Sequence, residues 1–218
     1  MLNNCNPDEN GEKWIFERIP NNLIVFDVGA RNDSFFLKYP GEVHYFEPQP
    51  EFLSSLQLRD PKINTSSYFN SFGLSDCEDK APWFPTFQSF VDRSQTLKRQ
   101  SEPVQWLELR MGLKYVQDKK IEKINFLKID TEGFELKVIR GFGEFLSNIN
   151  HIQFEYGGTY IDAKICLKDV LEYLRKMRFG NFGLLSSGGI VPLSSEEDHW
   201  QYCNIIADNL NLPSIFTN

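Results

Sequence analysis

The sequence predicts an α/β protein built on a doubly wound, mostly parallel sheet, and three observations carry this. Four short apolar runs are uninterrupted rather than alternating, as in strands whose two faces are both covered by helices. Helical patterns lie between them, and that alternation implies crossover connections. A late stretch rich in glycine and serine then changes the character of the chain, which suggests a hairpin and an antiparallel strand at one side of the sheet.

The four runs are NLIVFDVG (22–29), EVHYFEP (42–48), KINFLKID (123–130) and HIQFEY (151–156). A weaker strand is SSYFNSFGLSD (66–76). In TEGFELKVIRGFGEFL (131–146), Phe134, Val138, Phe142, Phe145 and Leu146 recur at helical spacing, with Thr131 as a candidate cap and Glu132 and Glu135 in the first turn. A second helix, CLKDVLEYLRKMRF (166–179), offers Leu167, Val170, Leu171, Leu174 and Met177 to the core. GNFGLLSSGGIVPLSS (180–195) reads as the hairpin and YCNIIAD (202–208) as a final strand. The least regular part, 77–120, contains APWFPTFQSFVD and is expected to cover one end of the sheet before a helix near 103–118. No linker, repeat or low-complexity tract divides the chain, so 1–218 reads as one domain with residues 1–13 as a flexible lead.

Composition narrows the function. The 218 residues are 41% hydrophobic and 24% charged, an ordinary globular mixture. The net charge of −7 is spread along the chain, which disfavours nucleic acid as a partner. The one basic cluster, DRSQTLKRQ (92–100), is short and reads as a solvated loop. No apolar stretch is long enough for a membrane span, and the polar opening MLNNCNPDENGEK has no signal-peptide core. Cys5, Cys77, Cys166 and Cys203 have neither zinc nor disulfide spacing, so free thiols and a cytoplasmic location are expected. Motifs of zinc proteases, serine hydrolases and P-loop ATPases are missing.

In an open α/β sheet, ligands bind beyond the carboxyl ends of the strands. Asp27 and Gly29 end the first run, Glu47 ends the second, Asp130 and Glu132 follow the run at 123–130, and Glu155 ends the next. Glu47 lies 20 residues after Asp27, where a carboxylate can accept both hydroxyls of an unphosphorylated ribose. That suits NAD or S-adenosylmethionine. The loop GARNDS (29–34) lacks the glycines that a pyrophosphate needs, and its Asp33 would repel one. S-adenosylmethionine instead brings a sulfonium and an ammonium, which acidic groups favour. Lys128 reads as a strand residue with its amine at the surface.

The runs VFDVGA (25–30), VHYFEPQPEFLSSL (43–56), GLSD (73–76), INFLKIDTEGFELKVIRG (124–141) and IQFEY (152–156) together resemble the FkbM-type methyltransferases, a class I S-adenosylmethionine-dependent family. Arg31 stands at the family's usual asparagine, Asp33 at its second glycine and Lys114 within a segment that often reads T-L-D. The resemblance implies a seven-stranded Rossmann-like methyltransferase fold. It also implies methyl transfer to a hydroxyl of a sugar, glycan or related natural product. It places the cofactor on Asp27, Gly29, Ala30, Arg31, Asp33, Ser34, Glu47, Pro48, Gly73, Leu74, Ser75 and Asp130. Asp130, Glu132 and Glu155 are the candidate catalytic carboxylates. Asp130 and Glu155 are also the ligands if Mg or Mn takes part. Trp83, Phe84, Phe87 and Phe90, with Tyr156 and Tyr160, are candidates to hold the acceptor. The compact pattern with its short lead also suits one domain of a larger glycan-building polypeptide. Two other readings stay open: an NAD-dependent oxidoreductase, and a non-catalytic nucleoside-binding module.

Overall fold

The computed structural model describes residues 5–60, 66–100, 105–214 and 216. Along the chain run α1 (Glu12–Phe16), β1 (Ile24–Val28), β2 (Glu42–Phe46), α2 (Pro50–Arg59), β3 (Ser67–Asn70), β4 (Gly73–Ser75) and β5 (Asp79–Trp83). Then come α3 (Ser94–Leu97), β6 (Gln105–Met111), α4 (Gly112–Asp118), β7 (Ile124–Ile129), α5 (Glu135–Gly141) and β8 (Ile149–Tyr156). The last elements are α6 (Thr159–Ala163), α7 (Leu167–Lys176), β9 (Phe179–Ser186), β10 (Gly189–Pro192) and β11 (Cys203–Asn209).

The main sheet has the order β10-β9-β11-β8-β7-β1-β2-β3. β1 pairs in parallel with β2 and β7, β2 with β3, and β7 with β8. β11 runs antiparallel between β8 and β9, and β10 closes a hairpin on β9. The parallel α/β architecture expected from the apolar runs is therefore present, with β10 bringing the described strands of this sheet to eight. The chain leaves β1 toward β2 and β3, then returns to build β7 and β8 on the other side. The sheet thus reverses direction of growth between β1 and β7, the position where α/β sheets open a crevice.

Burial on both faces explains the unbroken apolarity. Val25, Val43, Tyr45 and Phe126 face one core layer, with Ile15 of α1 and Leu56 of α2. Phe26, Val28, Phe46 and Leu127 face the other, with Val138 and Ile139 of α5 and Val170 and Leu174 of α7. Met177 is only partly buried beside this layer.

Three segments depart from the expected elements. The weak strand at 66–76 is two strands: β3 in the main sheet, and β4 in a small sheet of order β4-β6-β5. The helix expected near 103–118 is strand β6 followed by α4, with residues 103 and 104 outside the described residues. In β6 only alternate residues, Leu107 and Leu109, are buried, the period of a half-exposed strand. The helix expected over 131–146 is confined to α5 and a 3-10 turn at Gly143–Asn148, with Gly143 at φ +51° between them. Residues 10–15 do not behave as a loose lead: Asn10 and Ile15 are buried, and Ser187 N–H donates to Glu9 O at 3.3 Å. No helix among the described residues is long and apolar enough to cross a membrane.

Phe142 closes α5 in the core layer shared with Phe26 and Phe46. It is fully buried, with its ring 6.1 Å from that of Phe26 and against Gly112 at the start of α4. Phe142→Ala should lower unfolding stability by about 3–5 kcal/mol, read by denaturant titration. A loss below about 1 kcal/mol would contradict the central place given to this side chain.

Candidate active site

The site begins where β1 ends. Gly29 takes φ +81°, and a Cβ there would lie 1.8 Å from the carbonyl oxygen of Asp130. The two strand ends are locked together from the other side too, because Asp130 N–H donates to Val28 O at 2.9 Å. Beyond Gly29 the backbone stays in unusual territory, with Arg31 at φ +51°. Arg31 N–H donates to Glu47 Oε2 at 3.0 Å. Ser34 begins a 3-10 turn at Phe35–Lys38: its Oγ accepts from Phe36 N–H and donates to Asp27 Oδ2.

The loop after β7 is shaped by a buried carboxylate. Glu135 accepts from Thr131 N–H and Thr131 Oγ1, each at 3.0 Å, and from Gly133 N–H. This clamp holds Glu132 at φ +53° and Gly133 at φ +105°. Thr131 is therefore a donor to Glu135 rather than the expected cap of a helix, while Glu135 does lie in the first turn of α5, fully buried as the organiser of this loop. Burial pushes its carboxyl up to about 7, against the hydrogen bonds that favour the anion.

Two compartments meet over these loops. The first is an apolar cleft of about 560 Å³, open mouth included, walled by Phe46, Phe52, Leu74, Trp83, Phe90 and Phe134. Its polar end is Glu47, which is buried and also accepts from Gln49 N–H at 2.8 Å. Burial pushes Glu47 up to about 7, with the Gln49 and Arg31 backbone donors opposing the shift.

The second compartment is a more open acidic chamber of about 1110 Å³, lined by Glu12, Asp27, Asp33, Asp130, Glu132 and Glu155 along with Lys128 and Tyr202. Gly29, Arg31, Asp130 and Glu132 border both compartments. Lys128 is not a surface amine. Its ammonium lies 3.2 Å from Asp130, 3.7 Å from Asp27 and 3.7 Å from Glu12. Burial alone would lower its pKa, but Asp130, Asp27 and Glu12 hold it well above the ordinary value. Burial raises Asp27, only partly offset by Lys128 and Ser34, and its Oδ1 is buried without a hydrogen-bond partner among the described residues. Burial and then Asp130 raise Glu132, against the opposing charges of Arg93, 3.6 Å away, and Arg31. Glu155 is raised well above the carboxylate range by burial, then by Asp130, Glu132 and Glu135. Glu155 is thus the chamber carboxyl on which burial and neighbouring carboxylates most disfavour the anion, whereas the charge of Lys128 is favoured by its three carboxylate neighbours.

The two residues expected to ligate Mg or Mn, Asp130 and Glu155, are neighbours, but among the described residues they gain no third ligand. Among the described residues no three His, Cys, Asp or Glu side chains are arranged around a cation. The positive charge beside Asp130 is the Lys128 ammonium. Asp130 and Glu155 therefore do not fit a divalent metal site.

Comparison with known proteins agrees with this geometry. Residues 27–180 match the model of the methyltransferase FkbM domain. The chain belongs to the FkbM methyltransferase family. It is also similar to the hexuronic acid methyltransferase AglP of Haloferax volcanii, 24% identical over 188 residues that cover 85% of this chain and 72% of that protein. Among solved structures it resembles TrmK of M. capricolum, determined with S-adenosyl-homocysteine, at TM-score 0.51 and 10% identity over 91% of this chain and 67% of that one. A TehB-like SAM-dependent methyltransferase from Corynebacterium glutamicum gives TM-score 0.51 and 9% identity over 92% and 87%. The fold of this FkbM methyltransferase is thus that of SAM-dependent methyltransferases.

Most expected cofactor residues of the FkbM domain reach the two compartments: Gly29, Arg31, Glu47, Pro48, Gly73 and Leu74 border the cleft, and Asp27, Ala30, Asp33 and Ser34 the chamber. Ser75 does not. It is fully buried beneath α5, where Gly141 packs so closely that a Cβ would lie 2.0 Å from Ser75 O. Of the aromatic cover, Trp83 and Phe90 line the cleft. Phe84 and Phe87 are instead buried against each other at 6.5 Å between rings, in the turn closed by the Phe84–Ser89 bridge. That turn reaches the site indirectly, through Ser89 Oγ donating to Glu132 O at 2.8 Å. Tyr156 and Tyr160 are also wholly buried. Tyr156 OH accepts from the His199 and Trp200 backbone and donates to Asp198; Tyr160 OH donates to Glu155 O. They anchor backbone, so neither lines a compartment. Glu12, Lys128, Gln88, Phe134 and Tyr202 border the site without having been singled out for it. Only Lys128 and Phe134 carried a local signal, since both lie in the stretch around FLKIDTEGFEL.

Gly29→Ala tests the contact on which both compartments rest. The added methyl must displace the Asp130 backbone and also occupy φ +81°. The substitution should cost about 1–3 kcal/mol of stability. Denaturant unfolding that is indistinguishable from wild type would contradict the close approach.

Proposed function

We propose that this methyltransferase moves a methyl group from S-adenosylmethionine to a hydroxyl of a sugar, glycan or related natural product. The observation that carries the reading is the junction itself: an apolar cleft ending on the buried carboxylate of Glu47 opens, across Gly29 and Arg31, into the acidic chamber around Asp130. The name of the relative AglP, a hexuronic acid methyltransferase, supports a sugar acceptor.

When bound, S-adenosylmethionine supplies an electrophilic methyl on a sulfonium. The aromatic walls at Phe46, Trp83 and Phe90 suit its adenine, and Glu47 suits the ribose hydroxyls, since each carboxylate oxygen keeps acceptor capacity beyond its one backbone donor. Asp27, whose Oδ1 makes no hydrogen bond among the described residues and lies 3.7 Å from the Lys128 ammonium, suits the ammonium end. Asp130 is the base in this reading. It accepts the proton of the acceptor hydroxyl as the O–CH3 bond forms, the S–CH3 bond breaks and its electron pair stays on sulfur. Lys128 beside Asp130 stabilises the negative charge that develops on the acceptor oxygen. Glu155, whose carboxyl is raised by burial and by Asp130, is the neighbour of Asp130 in which the neutral form is favoured, and Glu132 is tied to Arg93. Most of the rate must come from holding oxygen, methyl and sulfur in line. The free thiols of Cys5, Cys77, Cys166 and Cys203 suit a reducing, cytoplasmic setting.

Glu47 gives a pH test. Its carboxyl is protonated below about 7 and a full double acceptor above it. Affinity for S-adenosylhomocysteine should therefore rise between pH 6 and 8, and Glu47→Gln should flatten that rise and weaken binding about tenfold at pH 8. Calorimetry showing the same pH dependence in the variant would refute the ribose assignment. For the chemical step, Asp130→Asn should lower turnover of a sugar acceptor by about 10²–10⁴ while S-adenosylhomocysteine affinity changes little. Near-normal turnover would remove Asp130 as the base.

A further inference from the structure

The family match covers residues 27–180, yet two residues outside it meet in the chamber: Glu12 from before β1 and Tyr202 from the start of the last strand. Their meeting is built, not incidental. Asn10 is buried to 1% exposure and clamps Glu12 twice, donating from Nδ2 to Glu12 Oε2 at 2.9 Å and accepting Glu12 N–H on Oδ1 at 3.0 Å. The same Nδ2 donates to Tyr202 OH at 3.1 Å. Asn204 Nδ2 reaches that hydroxyl from the other side at 3.2 Å, and Asn204 is itself held by Gln153 of β8. Gly11 takes φ +93° so close to β9 that a Cβ would lie 2.5 Å from Ser186 N, which pins the segment to the sheet. Glu12 is thereby held at 14% side-chain exposure, facing Lys128 across the chamber from the loop that carries Gly29.

We propose that Glu12 and Tyr202 form the wall that recognises the methyl acceptor, and that this wall is made for an uncharged, hydroxyl-rich ring. The inference rests on the methyltransferase reading above and specifies the acceptor half of the same site. Ribose and adenine groups of the cofactor are provided for by residues inside the family match. Glu12 and Tyr202 line the chamber and not the aromatic cleft, while Asp130 borders both, so the wall meets the base from the compartment left for the acceptor. A fixed carboxylate accepts hydrogen bonds from hydroxyls of a sugar ring and repels a sugar carboxylate. With Asp27, Asp33, Asp130 and Glu132 around the same space, the chamber has two cations, Lys128 and Arg31, to set against its carboxylates. The preference therefore differs from the hexuronic acid named for AglP.

The test uses the whole chain saturated with S-adenosylhomocysteine, with methyl glucoside and methyl glucuronide as probes followed by ligand-observed NMR. Wild type should bind the glucoside, and bind the glucuronide about tenfold more weakly or worse. Glu12→Gln should weaken the glucoside by about tenfold, the loss expected of one hydrogen bond to a charged group, and narrow the gap between the two probes. Tyr202→Phe, which keeps the ring, should weaken the glucoside alone. Both variants should keep S-adenosylhomocysteine affinity within about twofold by calorimetry. The proposal is overturned if S-adenosylhomocysteine affinity falls with Glu12→Gln, because the wall then belongs to the cofactor. It is equally overturned if the glucoside binds both variants as it binds wild type, if the glucuronide binds as tightly as the glucoside, or if neither probe binds. In those last cases S-adenosylhomocysteine binding by the wild type still upholds the cofactor reading, whereas its absence overturns that reading along with this one.

Discussion

Two parallel strands that end side by side can approach no closer than the side chains at their ends allow. At the end of β1 that side chain is a hydrogen atom, and the carbonyl of Asp130 occupies the space a Cβ would take. Together with the Asp130 N–H bond to Val28 O, this contact fixes the tips of β1 and β7 as one rigid unit. The connections leaving it must then diverge, one toward β2 and one toward α5. The apolar cleft forms on the β2 side, where Phe46, Trp83 and Phe90 cover the gap. The acidic chamber forms on the β8 side, where Glu155 and Tyr202 close it.

The second determinant is electrostatic. Several carboxyl groups share a partly dry space around one buried ammonium, and like charges so arranged cannot all ionise at ordinary pH. The chamber resolves this unevenly. Lys128 pairs with Asp130, Asp27 and Glu12, while Glu155 makes no ion pair with it and is raised well above the ordinary carboxylate range by burial and by the surrounding carboxylates. Two neighbouring carboxyl groups thereby acquire different chemical characters from position alone, the pattern by which acid and base roles separate on a common scaffold. Glu135, outside the chamber, spends its carboxylate on the backbone of the 131–133 loop and so sets the direction in which Asp130 and Glu132 point.

The sheet was readable because its strands are buried on both faces, which writes an unbroken apolar run into the chain at β1, β2, β7 and β8. The small sheet was not. β6 buries only Leu107 and Leu109, and β5 contains a proline, so neither has a local signature strong enough to compete with helix. The same division runs through the site. Gly29, Glu47 and Asp130 were legible because strand ends in this architecture point at the crevice. Tyr156 and Tyr160, expected at the acceptor, do not reach it, because both rings are folded inward and wholly buried. Glu12 and Tyr202 were invisible for a different reason. Nothing near either residue in sequence encodes that Asn10 will staple the two ends of the chain over Lys128.

The account turns on one arrangement: a nucleoside in the apolar cleft with its ribose on Glu47, and the sulfur end turned over the Gly29–Asp130 contact toward the acidic chamber. A crystal structure of the complex with S-adenosylhomocysteine measures this directly. The account predicts both ribose hydroxyls within hydrogen-bonding distance of the Glu47 carboxylate, adenine against Phe46 and Trp83, and the sulfur beside Asp130 with the Glu12–Tyr202 wall left uncovered. Ribose hydroxyls bound away from Glu47, or a homocysteine tail lying along Glu12 and Tyr202, would contradict it.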